Sequence, residues 1–230
     1  MNIASKTVLV VGANGTLGHL LANQLLAKGA VVIGTARSPE SSQGLAPNLT
    51  ERLLLDLESS PSIEALTNYL LNQHTTIDGI IFASGLVAFG SIEEMPGSVF
   101  DRLLRVNTTG QVELFQKLIG GLKTSAANGG EPFVVSISGV IAESPMAGMS
   151  AYSASKIALK GFAQAASKEL RKQGIRWIDA RPGHTETGLA SRAIFGSAPN
   201  FGSGLDAQIV AQRIVQAIEN DERDLPSTAF

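Results

Sequence analysis

The chain has 230 residues, of which 44% are hydrophobic and 17% are charged, and its formal net charge at pH 7 is -2. This balance permits a sizeable core and argues against a disordered chain, and the absence of cysteine excludes disulfides and thiolate metal sites. No basic block, secretory signal or apolar run of membrane-spanning length is found. We therefore expect a soluble, cytoplasmic protein with no bound metal and no nucleic acid or membrane partner.

Short apolar runs alternate along the chain with longer stretches of helical periodicity. Several runs are apolar at every position, which is typical of strands buried on both faces of a parallel sheet. This alternation predicts right-handed βαβ units and an α/β fold, a Rossmann-like doubly wound parallel sheet flanked by helices, in one domain over residues 1–230. The predicted strands are 8–11, 31–35, 53–55, 79–82, 133–137 and 175–180, and the predicted helices are 17–28, 61–73, 99–122, 151–172 and 206–220.

Two segments are rich in turn-forming residues and are expected to be loops. Residues 38–48 contain Ser, Pro and Gly, and residues 188–204 contain several glycines and a proline. The second segment is long for a compact domain, and such loops usually have a function, so we predict that it forms a substrate lid. Gly29 and Gly174 stand where the preceding helices are expected to end.

A glycine-rich turn joins the first predicted strand to the first predicted helix. Its spacing is G-x-x-G-x-x-G, which differs from the G-x-G-x-x-G dinucleotide fingerprint. Glycine permits the tight turn and a close approach to a pyrophosphate, and the free N–H groups of the helix start attract phosphate. This placement predicts a nicotinamide dinucleotide site, the alternative being a glycine-rich turn without a ligand. The candidate contacts are Gly12, Asn14, Gly15, Thr16, Leu17 and Gly18.

The end of the second predicted strand indicates which dinucleotide is bound. A site specific for NAD usually has Asp or Glu here to bind the ribose 2′-hydroxyl, whereas this chain has Ala36 followed by Arg37. A guanidinium can bind a 2′-phosphate through two charge-assisted hydrogen bonds. Arg37 therefore predicts that NADP(H) is preferred over NAD(H), the alternative being an exposed arginine on a loop.

Tyr152 and Lys156 are the most specific chemical signal in the chain. On a helix, positions i and i+4 lie on one face, so the phenol and the ammonium are expected to point the same way. A phenol has a pKa of about 10, and a nearby ammonium lowers that pKa by favouring the phenolate. The pair is therefore suited to general acid–base chemistry at a carbonyl oxygen, the alternative being an ordinary surface pair.

Taken in order, these motifs resemble the short-chain dehydrogenase/reductase family over residues 6–189. That family has a glycine-rich first turn, an asparagine on a mid-chain helix, a serine, and then Tyr-x-x-x-Lys. The resemblance implies that Asn107 holds a relay water and that Ser138 orients the substrate oxygen. It also implies that Tyr152 is the general acid or base, and that Lys156 binds the nicotinamide ribose as well as tuning the phenol.

The resemblance also implies further cofactor contacts. Two of the implied roles have a structural alternative. The Asn107 side chain could bond only to backbone groups inside its helix, and Pro182-Gly183 could be a simple turn without a ligand. The implied contacts are Asp56 and Leu57 at the adenine, Ala83, Ser84 and Gly85 beside the ribose, and Pro182, Gly183, Thr185 and Thr187 over the nicotinamide.

The chain departs from the family pattern at several places. The glycine spacing resembles that of the extended branch, and Phe-Ala-Ser-Gly replaces Asn-Asn-Ala-Gly after the fourth strand. The family serine lies thirteen residues before the tyrosine, where this chain has Gly139, and Ser138 lies one residue earlier. Adjacent side chains of a strand face opposite ways, so Ser138 reaches the substrate only if a bulge or turn redirects it. We expect such a redirection.

The departures also affect the expected assembly. The final strand of the family is short or missing here, so a homodimer through predicted helices 99–122 and 151–172 is at least as strongly expected as a homotetramer.

The predicted activity is NADP(H)-dependent reduction of a ketone or aldehyde, or oxidation of a secondary alcohol. A non-catalytic NADP(H)-binding redox sensor or scaffold is the alternative from another class, motivated by the displaced serine. A sugar-nucleotide epimerase is a second rival, but only about forty residues follow Thr187, which is small for a further domain. An apolar lining predicts a small hydrophobic carbonyl or alcohol substrate, and its candidates are Leu86, Val87, Phe89, Met146, Met149, Leu189, Ile194 and Phe195.

Overall fold

A parallel sheet of seven strands crosses the protein, seen in a computed structural model that describes residues 1–230. Each strand pairs only with parallel neighbours. The strands are β1 (Thr7–Val11), β2 (Val31–Ala36), β3 (Glu51–Leu54), β4 (Gly79–Phe82), β5 (Phe133–Ile137), β6 (Arg176–Ala180) and β7 (Asp224–Leu225). Their order is β3-β2-β1-β4-β5-β6-β7, which confirms the predicted doubly wound sheet. The order reverses between β1 and β4, and such sheets bind ligands outside the strand ends at that point.

Helices cover both faces of the sheet, which explains why the central strands β1 and β4 are almost entirely apolar. The helices are α1 (Thr16–Ala27), α2 (Pro39–Ser42), α3 (Ser60–Gln73), α4 (Gly97–Leu104), α5 (Gly110–Ala127), α6 (Ser150–Leu170) and α7 (Ala207–Glu219). Val8 and Val10 of β1 pack toward α1 and α7, while Leu9 and Val11 pack toward α3 and α5. None of the helices is both long and apolar enough to cross a membrane.

One predicted helix is two helices in the structure. The predicted helix 99–122 is interrupted by a π-helical turn over Arg105–Thr109, which separates α4 from α5. Gly110 directly follows this turn and packs against the segment after β3. A Cβ added at Gly110 would be 2.5 Å from the carbonyl oxygen of Leu57. The spacing of hydrophobic residues in the sequence does not reveal such a π-helical turn. Turns of this kind are frequent at functional sites.

The remaining boundaries differ only locally from the predictions. Gly29 and Gly174 follow helix ends with φ of 82° and 72°, as predicted for these positions. The predicted loop 38–48 contains the short helix α2, because Ser38 caps it by accepting a hydrogen bond from the Ser41 N–H. Strand β7, expected to be short or missing, consists of two residues.

Candidate active site

A cavity of about 610 Å³ opens at the carboxyl ends of the central strands. Small-molecule sites usually have roughly 300–1,000 Å³, so the cavity is large enough for an elongated ligand. Three of the four predicted catalytic residues line it, namely Ser138, Tyr152 and Lys156. All but one of the predicted cofactor contacts also line it: Gly12, Asn14, Gly15, Thr16, Leu17, Arg37, Asp56, Leu57, Ala83, Ser84, Gly85, Tyr152, Lys156, Pro182, Gly183, Thr185 and Thr187.

Gly18 is the exception, since it packs inside the turn and does not line the cavity. A Cβ at Gly18 would be 2.2 Å from the carbonyl oxygen of Gly12, which only glycine avoids. Gly12 itself has φ of 81°, and a Cβ there would be 2.9 Å from the Cβ of Ser84. Gly18 therefore serves the close packing of α1 against the glycine turn, and its contact with the cofactor stays a prediction.

The amino terminus of α1 offers free donors to the cavity. Gly15 is the N-cap residue and no side chain caps the helix, so the first-turn N–H groups have no side-chain acceptor. Thr35 of β2 fixes the turn from below, since its hydroxyl accepts from the Gly12 N–H at 3.2 Å and its carbonyl accepts from the Ala13 N–H at 3.0 Å. This arrangement is suited to binding phosphate oxygens.

Two further groups fit a phosphorylated dinucleotide. Arg37 is exposed at the rim of the cavity and has no hydrogen bond or ion pair with any side chain of the protein. The hydroxyl of Ser84 is buried in the cavity wall without a hydrogen-bond partner. An unpaired guanidinium and an unsatisfied buried hydroxyl are what a site for a polar, anionic ligand requires.

Tyr152 and Lys156 lie one turn apart on α6, as predicted, with the Lys156 Nζ 6.0 Å from the centroid of the Tyr152 ring. Nζ donates a hydrogen bond of 2.8 Å to the carbonyl oxygen of Ile137 at the end of β5. Burial raises the pKa of Tyr152 to about 12 and lowers the pKa of Lys156 to about 8. The phenol pKa is thus raised and not lowered as predicted, because burial disfavours the charged phenolate.

Ser138 does not face the substrate side of the cavity through its hydroxyl. The residue is fully buried, and its Oγ donates a hydrogen bond of 2.6 Å to Asp179 on β6. Neither a bulge nor a turn redirects the side chain, which keeps the strand alternation shared with Ser136. The expected redirection of Ser138 is therefore wrong, and Gly139, at the family position, has no side chain to replace it.

Asn107 lies in the π-helical turn and is fully buried. Its Oδ1 accepts from the Leu86 N–H at 2.8 Å, and its Nδ2 donates to the Leu86 carbonyl at 2.9 Å and to the Ser155 hydroxyl at 3.0 Å. Both amide protons are therefore occupied, and the side chain clamps the segment after β4 to helix α6. Asn107 supports the site from behind the cavity wall rather than lining it.

The substrate side of the cavity is largely apolar. The predicted lining holds except for Phe195, which packs against the cluster around Leu103 instead. His184 adds a polar group to this side of the cavity, and its ring centroid lies 5.0 Å from that of Phe201. The confirmed apolar lining residues are Leu86, Val87, Phe89, Met146, Met149, Leu189 and Ile194.

Backbone hydrogen bonds join residues 188–204 to both sides of the cavity. The Ile194 N–H donates to the Val87 carbonyl, and the Phe89 N–H donates to the Phe195 carbonyl, each at 2.9 Å. Just before this segment, the Thr187 carbonyl accepts a hydrogen bond of 3.0 Å from the Thr16 hydroxyl in the glycine turn. The segment therefore lies across the cavity with only one short helical turn of its own.

A buried cluster of charged side chains beneath the site was missed. Asp179 accepts from Ser136, Ser138 and Arg181, and Arg181 also pairs with Glu143 and Asp224. The available signal was the pair of serines spaced two apart in an otherwise apolar strand, because that spacing places both hydroxyls on one buried face.

The fold and the site together define an NAD(P)-dependent dehydrogenase or reductase. The family model described as "short chain dehydrogenase" matches residues 6–194, and the chain belongs to this family. A dehydrogenase/reductase SDR family protein 7-like of Anopheles gambiae is 28% identical over 97% of this chain and 75% of its own. An NADPH-dependent pterin aldehyde reductase of Arabidopsis thaliana is 30% identical over 90% of this chain and 86% of its own.

A solved structure agrees with this assignment. The short-chain dehydrogenase from Streptomyces avermitilis superposes with a TM-score of 0.85 at 26% identity, covering 98% of this chain and 90% of its own. Members of the family bind a nicotinamide cofactor and act on small molecules.

Proposed function

We propose that this oxidoreductase uses NADP(H) to reduce a small hydrophobic ketone or aldehyde, or to oxidise the corresponding secondary alcohol. The observation that carries the proposal is the continuity of one cavity from the glycine turn to the Tyr152–Lys156 pair. A dinucleotide that enters with its phosphates at the helix start has the length to reach the phenol. The same cavity continues into an apolar compartment for the substrate.

Tyr152 is the proton donor for reduction in this proposal. A bound NADPH supplies the hydride to the carbonyl carbon, and the substrate gains a proton at oxygen to become an alcohol. With its pKa raised to about 12, the phenol of Tyr152 holds its proton at neutral pH and can deliver it to that oxygen. Lys156 then stabilises the phenolate through its ammonium charge, and the reverse transfers oxidise an alcohol.

Arg37 selects the phosphorylated cofactor. Its guanidinium is exposed at the cavity rim without a carboxylate partner, so binding a 2′-phosphate breaks no existing ion pair. A bidentate pair of charge-assisted hydrogen bonds would form instead. The Arabidopsis relative is named as NADPH-dependent, which supports the same choice.

The lining of the outer compartment favours a hydrophobic substrate. Met146 and Met149 provide adaptable apolar walls, and the rings of Phe89 and Phe201 contact each other at a tilt, with centroids 5.9 Å apart. Residues 188–204 act as the substrate lid, since the hydrogen bonds of Ile194 and Phe195 hold this segment over the compartment. We place a homodimer or homotetramer in the cytoplasm as part of the same proposal.

The test is NADPH oxidation with a panel of aliphatic and aromatic ketones and aldehydes, for wild type and Tyr152→Phe. Turnover by wild type with loss of roughly 10²–10⁴-fold in the variant is expected, because the variant lacks the proton donor. Tyr69→Phe is the matched control, since Tyr69 is exposed on α3 and is the other tyrosine of the chain. Tight NADPH binding by wild type without turnover of any substrate would favour the redox-sensor alternative.

A further inference from the structure

Asp179 is a buried carboxylate directly beneath the catalytic strand ends. It is 4% exposed, and its Oδ1 accepts a hydrogen bond of 2.6 Å from Ser136. Its Oδ2 accepts 2.6 Å from Ser138 and 3.0 Å from the Arg181 Nη1. A buried carboxylate is costly unless such donors satisfy it, so the sequence commits three side chains to keep this charge in place.

The two serines link Asp179 to the lysine of the site. Ser136 and Ser138 flank Ile137, and the Ile137 carbonyl is the acceptor for the Lys156 Nζ at 2.8 Å. Fixing both serine side chains to one carboxylate therefore fixes the orientation of the carbonyl between them. A rotation of that peptide would break the hydrogen bond that aims Nζ into the cavity.

The charges around Asp179 do not cancel within its own network. Arg181 pairs with Asp179, but its two Nη atoms also bind both Asp224 oxygens at 2.7 and 2.8 Å, and its Nε binds Glu143. Three carboxylates therefore share one guanidinium. Lys156 is a further cation on which the charge of Asp179 acts. Burial lowers the pKa of Lys156, and the negative charge of Asp179 opposes that lowering.

The charged groups around the ammonium are few. On its own helix, Tyr152 is the ionisable neighbour, and Lys160 donates to the Ala142 carbonyl at 3.3 Å. On β6, the charged group that affects the pKa of Lys156 is Asp179, which raises it. No carboxylate forms an ion pair with Lys156, so Asp179 acts through space and through the strand.

We propose that Asp179 is a positioning residue of the active site, which holds the Ile137 carbonyl against Lys156 and keeps the Lys156 ammonium charged. This inference rests on the proposed oxidoreductase function. Asp179 touches neither the substrate nor the cofactor in this account. It sets the geometry and the charge of the group that supports Tyr152.

The test is the pH titration of the lysine ¹³Cε resonances in the ligand-free protein, with Lys156→Met identifying the Lys156 signal. Wild type is expected to titrate at about pH 8. In Asp179→Asn, loss of the charge shifts the titration to lower pH by about one unit or more. In Ser138→Ala the Asp179 carboxylate loses a donor, which disfavours its charged form, so the Lys156 titration also moves to lower pH.

Asp224→Asn is the matched control, because it removes another Arg181 partner whose side chain is 57% exposed. Asp224→Asn is expected to leave the pH at which Lys156 titrates unchanged. A general disturbance of the charged network would change that pH in this variant as well. Unchanged titration in Asp179→Asn would overturn the inference. If that variant does not fold, an unmoved titration in Ser138→Ala overturns it instead.

The kinetic readout separates this inference from the function on which it rests. Between pH 6 and about pH 8, Asp179→Asn is expected to lower kcat for NADPH-dependent reduction while KM changes little, because Lys156 loses its charge early. Absence of turnover by wild type with every carbonyl tested contradicts the proposed function. The titration needs no turnover, so its outcome decides the role of Asp179 separately.

Discussion

The two halves of the cavity follow the family pattern to different degrees. On the cofactor side, the glycine turn, Arg37 and the segment after β4 lie where the sequence motifs place them. On the substrate side, the family serine is replaced by Gly139, and the nearest hydroxyl, that of Ser138, is bonded to Asp179. The hydroxyl expected at the substrate is thus the part of the pattern that the structure does not reproduce.

This difference concerns the hydrogen-bond donors that are available to the substrate oxygen. With the Ser138 hydroxyl committed, the Tyr152 phenol is the ionisable donor left at the reacting end, with Lys156 behind it. In our proposal Asp179 makes Ser136 of β5, and Ser138 directly after it, supports for Lys156. Both serine hydroxyls lie on the buried face of the strand and are bonded to Asp179.

The largest expected effect tests the substrate side through Lys156. Lys156→Met removes the ammonium and is expected to lower kcat for carbonyl reduction by about 10²–10⁴-fold, because the phenolate of Tyr152 loses its stabilising charge. The measurement is steady-state NADPH oxidation at neutral pH. Lys168→Met, at an exposed position of the same helix, is the control and is expected to retain wild-type kcat. Equal activity of the two variants would remove Lys156 from the mechanism.

The next effect tests the cofactor side. Arg37→Ala is expected to raise the Kd for NADPH by roughly 10–100-fold, since hydrogen bonds to charged groups contribute about 1.5–3 kcal/mol. The Kd for NADH is expected to change little, because NADH has no 2′-phosphate. Fluorescence titration of both cofactors measures this, with Arg52→Ala on the neighbouring strand as control. An equal change for NADPH and NADH would refute the assignment of Arg37.

A smaller effect on stability tests the glycine turn. Gly18→Ala is expected to lower the free energy of unfolding by about 1–3 kcal/mol, as overpacking does, because its Cβ would be 2.2 Å from the Gly12 carbonyl. Gly15→Ala is the control, since its Cβ would be 3.4 Å from the same oxygen. Urea denaturation measures both variants. Similar losses of unfolding free energy in the two variants would show that close packing at Gly18 is not the reason for glycine at that position.

The last expected effect is the pH dependence of stability from Lys156. Its pKa is lowered in the folded state to about 8 from 10.5, so the unfolded chain binds more protons between these values. The Lys156 contribution to the free energy of unfolding therefore rises with pH across that window. Urea denaturation from pH 7 to 10 is expected to show a steeper rise for wild type than for Lys156→Met. Parallel pH profiles would contradict the lowered pKa.

The sequence was sufficient for most of the fold because the strands are buried on both faces. Residues such as Val8, Leu9, Ile80 and Ile81 leave no polar face, and the glycines after the helices mark their ends. The π-helical turn at Arg105–Thr109 was not predictable from hydrophobic period, since one extra residue per turn hardly changes the pattern. The break depends on long-range contacts, such as that of Gly110 with Leu57.

The site was predictable where a motif fixes both residue type and spacing. The Tyr152–Lys156 pair and the glycine turn have such motifs, whereas the direction of the Ser138 side chain depends on Asp179, forty-one residues further on. The raised pKa of Tyr152 also depends on burial, which spacing does not report. Tertiary partners therefore decided the points on which the sequence was insufficient.

The central claim is that Tyr152, and not the Ser138 hydroxyl, acts on the substrate oxygen. The most direct measurement compares kcat/KM of Tyr152→Phe and Ser138→Ala with one ketone and NADPH at pH 7. The account predicts a loss of about 10²-fold or more for Tyr152→Phe and a much smaller loss for Ser138→Ala. A loss of roughly 10²–10³-fold in Ser138→Ala, as found when a transition-state hydrogen-bond donor is removed, would contradict it.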